Sequence, residues 1–415
     1  MEQITSTEFN SELLTEARVS LELAVPLAFA QLAQTSIPVV NSVMMGLLGT
    51  QNLAAGALGA ITFITVSSIC LGILSAGGAL AAEAFGAKNI EQVSRINCQG
   101  LWLAATLSLP AMLLLWNCDF ILLLLGQEES NVLLTKSYLH TLVWGVPPAI
   151  SFLYLKRIAS VINFPQFGMV IIVISLLLNV PTNYVLMFGY LGFPALGLAG
   201  IGWGTALVYW VSLLASCSII YFHPKSRDYK LFRYLYQFDR EVFFQIFQTG
   251  WPTGIQIGME LGLLAVTAML MGKLGTSSLA GHEIAIQTSE FFLAIPIAIS
   301  YSATARVGQM MGEKNTVGSI RAAVVYQIFF SIQFIAVGAL LGLQDTRVPM
   351  LINIFSLWSI GMGGGYLMAI TLGWGGVGFW YGLILGLAIS DLILMVRFYL
   401  VNFNKIAQRE NADVL

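Results

Sequence analysis

The chain is short of charged side chains, which make up 10% of its 415 residues, whereas 57% of the residues are hydrophobic. Its mean hydropathy is +0.80. Soluble domains carry about 25% charged residues, so this composition excludes a soluble globular protein. The net charge of −2 argues neither for nor against nucleic-acid binding, and no basic patch is large enough to indicate it, so we expect no nucleic-acid partner. The chain is expected to be a polytopic membrane protein whose surroundings are a lipid bilayer.

Cysteine and histidine are also scarce, with four and three residues. The cysteines lie in apolar runs and lack the spacing of a metal site. The sequence has no phosphate-binding GxxxxGK[ST] loop and no HExxH motif. Its GMGGG segment, residues 361–365, lies inside an apolar run, which favours close helix packing. We therefore expect no enzymatic activity and no cofactor, and an ion gradient would have to drive any transport.

Long apolar runs are what the sequence has instead. Eleven runs are long enough to cross the hydrocarbon layer, which is about 30 Å thick. They cover residues 23–47, 54–82, 96–125, 132–155, 168–189, 196–222, 242–271, 279–305, 322–343, 349–372 and 376–400.

The two halves of the chain repeat each other. MGLLGTQNLA at residues 45–54 and MGKLGTSSLA at residues 271–280 share seven of ten residues, at an offset of 226 that also pairs Gly86 with Gly312. This pattern indicates an internal duplication. Six spans separate the copies, so both halves are expected to have the same orientation in the membrane. The predicted parts are a cytoplasmic tail (1–19), a six-helix lobe (20–222), a basic cytoplasmic linker (223–240), a second lobe (241–402) and a cytoplasmic tail (403–415).

The second half is shorter than the first. Residues 350–373 match residues 169–192 at an offset of 181 instead of 226, so about 45 residues are absent from the second half. One run, residues 322–343, stands where two spans are expected. The charge bias of the later loops requires both ends of this run to be cytoplasmic. We expect a kinked or re-entrant segment, or one that fails to reach across the membrane.

Glu260 is the one carboxylate in the apolar run of residues 250–274. A charged side chain at the membrane centre costs at least about 2.5–3.5 kcal/mol, so such groups usually face a cavity and have a function. On a helix, Glu260 lies on the same face as Gln256 and Thr267. The alternative is a protonated glutamate that is hydrogen-bonded in a helix interface.

These segments, together with GALLGLQDTRVPM at residues 338–350, give the chain a resemblance to the NorM-type multidrug and toxic compound extrusion (MATE) transporters over nearly its whole length. The resemblance implies an all-α membrane protein in which two six-helix lobes form a V-shaped arrangement of twelve helices. It implies export of organic cations or amphipathic drugs in exchange for Na⁺ or H⁺ by alternating access. The expected location is the plasma membrane, or the inner membrane of a Gram-negative bacterium, and the expected state is a monomer.

The resemblance also places the acidic residues. Glu260 stands where the second lobe of the family has its cation-coupling glutamate. Phe330 and Ser331 stand where the family usually has an aspartate as its partner. Glu290 is a possible substitute for that missing acid.

The predicted cavity residues are polar and uncharged. Asn41 stands where the family commonly has an aspartate, and Asn179 and Asn183 match the polar positions that accompany it. Amides can bind a cation or a substrate but cannot carry a proton. The repeat mate of Glu260 is Gln34. We predict a substrate or cation cavity lined by Gln34, Asn41, Asn179, Asn183 and Gln256.

Two other functions remain open. One is a flippase for lipid-linked oligosaccharides, which would need a cationic cavity, whereas the sequence predicts no Lys or Arg at the cavity. The other is a transport-inactive product of a damaged coding sequence, since about 45 residues and one expected carboxylate are absent together.

Overall fold

The computed structural model describes residues 6–124, 127, 129–227, 229–273, 286, 293, 297–313 and 332–412, and these residues form helices and no strand. The helices are α1 (Ser6–Leu47), α2 (Thr50–Gly86), α3 (Ile90–Trp116), α4 (Cys118–Leu124), α5 (Glu129–Leu142), α6 (Val146–Val161), α7 (Pro165–Phe188), α8 (Leu198–Phe222), α9 (Pro224–Arg227), α10 (Arg240–Lys273), α11 (297–312), α12 (Ile332–Gly342), α13 (Arg347–Thr371) and α14 (Gly375–Ala412). Within the described ranges, six helices are long and apolar enough to cross a membrane: α2, α3, α7, α8, α13 and the part of α14 up to Val401.

The observed helices differ from the predicted spans in the first half of the chain. Helix α1 begins at Ser6, ahead of the first predicted span at residue 23, so most of the predicted tail is helical. The predicted third span is too long, because α3 ends at Trp116 and the short helix α4 follows. The predicted fourth span is broken between α5 and α6 by a 3₁₀ turn, Val143–Gly145. Pro147 and Pro148 follow this turn in the first turn of α6, where the missing proline N–H removes no helical hydrogen bond.

The chain forms two compact units. The N-unit contains Phe29–Gly77 and Val93–Phe247, and the C-unit contains Met1–Ala28, Gly78–Gln92 and Gln248–Leu415. The C-unit thus includes two segments from the first half of the sequence, whereas the predicted lobes divide the chain at the linker. Residues 322–331 of the predicted run 322–343 lie outside the described residues, and most of the remainder is α12.

In the N-unit, the linker is held by polar side chains near the start of α3. Each donates a hydrogen bond to a backbone carbonyl of residues 230–237, and the distances are between 2.7 and 2.9 Å. The donors are Ser94, Asn97, Gln99 and Trp102. These bonds satisfy carbonyl groups that lie outside any regular helix. The linker is therefore packed on α3.

In the C-unit, α2 and α11 cross at two glycines that are repeat mates. A Cβ atom on Gly86 would lie 1.7 Å from the carbonyl oxygen of Gln309, and one on Gly312 would lie 1.8 Å from the carbonyl oxygen of Glu83. Only glycine permits so close a backbone approach.

Helices α13 and α14 also meet through glycines. A Cβ atom on Gly382 would lie 2.2 Å from the Cα atom of Gly365, and one on Gly386 would lie 2.8 Å from the Cα atom of Gly361. The prediction of close packing for the GMGGG segment is confirmed. Helix α13 contains two π-helical stretches, Phe355–Met362 and Leu367–Thr371.

Candidate functional site

Three predicted cavity asparagines lie together in the N-unit. Asn179 and Asn183 are one turn apart on α7, Asn41 comes from α1, and Thr205 comes from α8. All four side chains are buried. We call these four residues the amide cluster.

The amide cluster is a nearly closed hydrogen-bond network. The Nδ2 atom of Asn183 donates to the Oδ1 atoms of Asn41, at 2.9 Å, and Asn179, at 3.0 Å. The Nδ2 atoms of Asn41 and Asn179 in turn face the Oγ1 atom of Thr205, at 3.4 and 3.3 Å. Every group in this network is neutral, so the cluster fixes the three helices without carrying a proton.

One hydrogen-bond acceptor of the amide cluster has no donor in the described part of the chain. The Oδ1 atom of Asn183 is buried and has no hydrogen-bond partner among the described residues. It lies against Gly204, where a Cβ atom would come within 2.1 Å of it. A buried acceptor without a donor is costly, so this oxygen is suited to a donor group or a cation that enters from outside the cluster.

Gln34, a fourth predicted cavity residue, does not join the amide cluster. Its Oε1 atom accepts a hydrogen bond of 2.7 Å from the Nζ atom of Lys156 on α6. Lys156 is only 5% exposed. The prediction that no Lys or Arg reaches the cavity residues is therefore wrong, because the Lys156 ammonium contacts Gln34.

The direction of Lys156 is set by its neighbours on α6. Tyr154 is fully buried and donates to the backbone carbonyl of Ile96 on α3. Lys156 points to α1 instead, and its stem occupies space left by Gly168, where a Cβ atom would lie 2.4 Å from the Lys156 Cγ atom. Neighbouring residues on a helix point about 100° apart, so Lys156 and Arg157 point in different directions. The sequence alone does not tell which of the two turns inward.

Glu260 and Gln256 lie together in the C-unit, on α10. The Nε2 atom of Gln256 donates to the Oε1 atom of Glu260 at 3.0 Å, across one helical turn. No cationic side chain of the described residues forms an ion pair with Glu260. The carboxylate is thus held by a neutral amide, with capacity for another donor or a cation.

The backbone around Glu260 is anchored to α13. The Nε1 atom of Trp358 donates to the carbonyl oxygen of Met259 at 3.2 Å. One turn further, Leu263 packs in a buried cluster with Leu357 and Leu383. Trp358 lies in the first π-helical stretch, and such stretches frequently occur at functional sites.

A second acid of the C-unit, Asp391 on α14, went unassigned by sequence reasoning. Its Oδ1 atom is buried and has no hydrogen-bond partner among the described residues. The preceding residue, Ser390, donates to the Oδ1 atom of Asn353 on α13. Glu290, the predicted substitute acid, lies outside the described residues, as do Phe330 and Ser331.

Comparison with known families gives a consistent match in both halves. The MatE family model matches residues 26–185 and 252–319, more than half of the chain. The second match ends close to Arg321, where the internal repeat loses its offset of 226.

The chain is also similar to curated proteins named "Probable multidrug resistance protein NorM". It is 30% identical to that of Synechococcus sp., with 94% of this chain and 95% of the relative covered. It is 33% identical to that of Pseudomonas syringae pv. tomato, with 92% and 94% covered. The first alignment is 441 positions long, whereas 94% of 415 residues is about 390 residues. This chain is therefore gapped at about 50 positions, which agrees with the predicted loss of about 45 residues.

Solved structures with the same fold include two MATE transporters. The eukaryotic transporter AtDTX14 matches with a TM-score of 0.83 and 19% identity, covering 97% of this chain and all of that one. A mutant of the Vibrio cholerae transporter VcmN matches with a TM-score of 0.84 and 15% identity, covering 94% and 98%. At these identities the likeness shows the fold alone.

Proposed function

Because the chain belongs to the MatE family of membrane transporters, we propose that it is a multidrug efflux antiporter that exports organic cations or amphipathic drugs in exchange for Na⁺ or H⁺. It acts by alternating access as a monomer, without a cofactor and without enzymatic activity. Its site of action is the plasma membrane, or the inner membrane of a Gram-negative cell. The names of the NorM relatives support multidrug export as the transport class.

The observation that carries the proposal is the state of Glu260. Its carboxylate has a neutral amide, Gln256, as its hydrogen-bond partner and has no cationic partner among the described residues. A charge in an apolar span must be neutralised by a bound ion, a proton or a cationic substrate. Ligands that neutralise the same group weaken each other's binding, and this competition is the basis of exchange.

The N-unit contributes binding but no proton at the amide cluster. Asn41, Asn179 and Asn183 have no ionisable group, so the coupling reaction depends on Glu260 in this proposal. Asp391 is an acid of the described C-unit that has a buried oxygen without a hydrogen-bond partner among the described residues.

One observation favours the flippase alternative, and two others favour the drug exporter. Lys156 supplies a buried cation next to Gln34, so the lack of a cationic side chain no longer argues against a flippase. A single ammonium is a small counter-charge for a lipid-linked diphosphate sugar. The NorM relatives favour the drug exporter.

The test is uptake of a fluorescent cationic dye into proteoliposomes that contain the purified protein, with proton and sodium gradients imposed separately. We expect Glu260→Gln to abolish gradient-driven uptake. Glu241→Gln is the matched control, because it makes the same change at an exposed position of the same helix. Unchanged ion dependence in Glu260→Gln would refute the coupling role, and no uptake by the unaltered chain would favour the transport-inactive product.

A further inference from the structure

The N-unit contains a buried lysine side chain that the proposed exchange reaction does not use. Lys156 is 5% exposed, and its ammonium has a neutral amide oxygen, that of Gln34, as its acceptor. The ion pairs among the described residues involve Arg95, Lys136 and Arg397. Within the described part of the chain, Lys156 thus has no carboxylate partner.

An ammonium in this state has unused binding capacity. It carries three N–H donors, and the contact with Gln34 uses one of them. Buried charges are normally paired, because an unpaired charge in a low-dielectric interior is strongly destabilised. Lysines near a membrane boundary usually extend their charge to the interface, but the stem of Lys156 lies against Gly168 and its Nζ atom contacts Gln34. An anion that enters this place would relieve the imbalance.

The position of Lys156 and Gln34 relative to the amide cluster indicates which class of ligand could bind. Gln34 lies seven residues before Asn41 on α1, so both are on one face of the helix and are separated by about 10.5 Å along its axis. The same face therefore leads from a cationic donor at Lys156 to neutral amides, one of which has an acceptor without a donor. This arrangement suits a ligand with an oxyanion at one end and hydrogen-bond donors or a cationic group at the other.

We propose that Lys156 and Gln34 form a subsite for the carboxylate of a zwitterionic amphiphile, so that the protein prefers drugs that carry an acid group to their neutral or purely cationic analogues. The proposal rests on the proposed export function and specifies its substrate class. Lys156 binds the carboxylate directly, and Gln34 positions the ammonium from α1.

The test is a binding measurement, which is independent of transport. A rhodamine methyl ester and its free acid differ in the carboxylate alone, and fluorescence anisotropy gives the Kd of each for the purified protein in detergent. We expect the free acid to bind roughly ten times more tightly or better, which is the strength of one charge-assisted hydrogen bond. Lys156→Gln should remove that preference while ester binding stays, and Lys156→Arg should retain it.

Two further variants keep the outcome decisive. Arg157, the neighbouring cationic residue on α6, is not fully buried. Arg157→Gln should leave the preference for the free acid unchanged. Gln34→Glu places a carboxylate beside the Lys156 ammonium and should remove the preference by competing with the ligand, even if Lys156→Gln does not fold. An equal Kd for acid and ester in the unaltered chain would overturn the proposal, as would a preference that survives both Lys156→Gln and Gln34→Glu.

The same measurement separates other outcomes. If anionic lipid added to the detergent shows Lys156-dependent binding and the free acid does not, the subsite belongs to a lipid headgroup and the proposal is wrong. If the acid preference behaves as expected but no dye is transported in proteoliposomes, the subsite stands and the export function fails.

Discussion

Gly86 and Gly312 are repeat mates that occupy equivalent places in one helix crossing. Gly86 of α2 lies against the Gln309 carbonyl, and Gly312 of α11 lies against the Glu83 carbonyl. Glu83 and Gln309 are themselves separated by the repeat offset of 226. The contact is therefore reciprocal, as in a two-fold interface between identical subunits, and the duplicated sequence has preserved both sides of it.

This crossing predicts a large loss of stability in Gly312→Ala. The new Cβ atom would lie 1.8 Å from a backbone oxygen, and a backbone cannot move aside as a flexible side chain can. Overpacking of this kind costs roughly 1–3 kcal/mol or more, so the midpoint of thermal unfolding in detergent should fall by several degrees.

Gly364→Ala is the matched control for this prediction. Gly364 is helical, and a Cβ atom there would meet no atom within 4 Å. Because alanine favours a helix over glycine, the unfolding midpoint should stay or rise. Equal effects of the two substitutions would contradict the idea of a tight crossing.

The fold was largely predictable because membrane spans are specified by composition. The apolar runs located most of the helices, and the repeat located Gly86 and Gly312 as equivalent positions. The sequence did not reveal the break at Val143–Gly145 or the end of α3 at Trp116, because hydropathy stays high through both. The packing of the linker on α3 also escaped prediction, since the side chains that hold it bind backbone carbonyls.

The packing of the linker on α3 predicts that Gln99→Leu will loosen the linker locally. Gln99 is fully buried, and its Nε2 atom donates to the Gln237 carbonyl at 2.7 Å. Loss of this bond should loosen the linker, and trypsin should cleave the folded protein at Lys230 or Arg233 several times faster, because proteolysis follows local opening.

Thr106→Val is the control on the same helix, because the Thr106 hydroxyl bonds within α3, to the Trp102 carbonyl. It should leave the cleavage rate unchanged. A rate that is the same in Gln99→Leu and in the unaltered protein would show that the other α3 bonds are sufficient.

A pair outside the membrane-spanning helices predicts a pH effect. The Nζ atom of Lys136 donates to Asp119 at 2.6 Å, and this bond holds the pKa of the Asp119 carboxyl below its ordinary value. A lowered pKa in the folded state stabilises the protein above the ordinary carboxyl pKa, and the stabilisation is lost as the pH falls through the folded value. A double-mutant cycle of Asp119→Asn and Lys136→Met should therefore show a small coupling at neutral pH that disappears in acid and in high salt. A coupling that persists in acid would exclude an ionic origin.

The candidate site was predictable where a residue is out of place in its run. Glu260 and the asparagines are polar side chains in apolar spans, and the repeat and the family resemblance gave them positions. Lys156 was missed because it lies at the end of a span, where lysine is usual, and only its packing against Gly168 and Gln34 shows that it turns inward. Asp391 is also a polar residue in an apolar run, but it was left unassigned because no sequence pattern indicated a partner for it.

The amide cluster predicts that two similar substitutions will have different effects. In Asn183→Asp the carboxylate cannot donate to the Oδ1 atoms of Asn41 and Asn179, so two hydrogen bonds are replaced by repulsion. In Asn41→Asp the oxygen that accepts from Asn183 is retained, and the new oxygen faces the Thr205 hydroxyl, which can rotate to donate. Asn183→Asp should lose roughly 3–5 kcal/mol of stability at neutral pH, and Asn41→Asp should lose much less.

The pH dependence of stability distinguishes repulsion by the new carboxylate from a site that tolerates no substitution of Asn183. A protonated carboxyl is neutral and has an O–H donor, so acid removes the repulsion and restores one hydrogen bond within the cluster. The thermal unfolding midpoint of Asn183→Asp should therefore recover in mildly acidic buffer, while that of Asn183→Leu should stay low. If Asn41→Asp and Asn183→Asp unfold at the same temperature at every pH, the donor and acceptor roles assigned within the cluster are wrong.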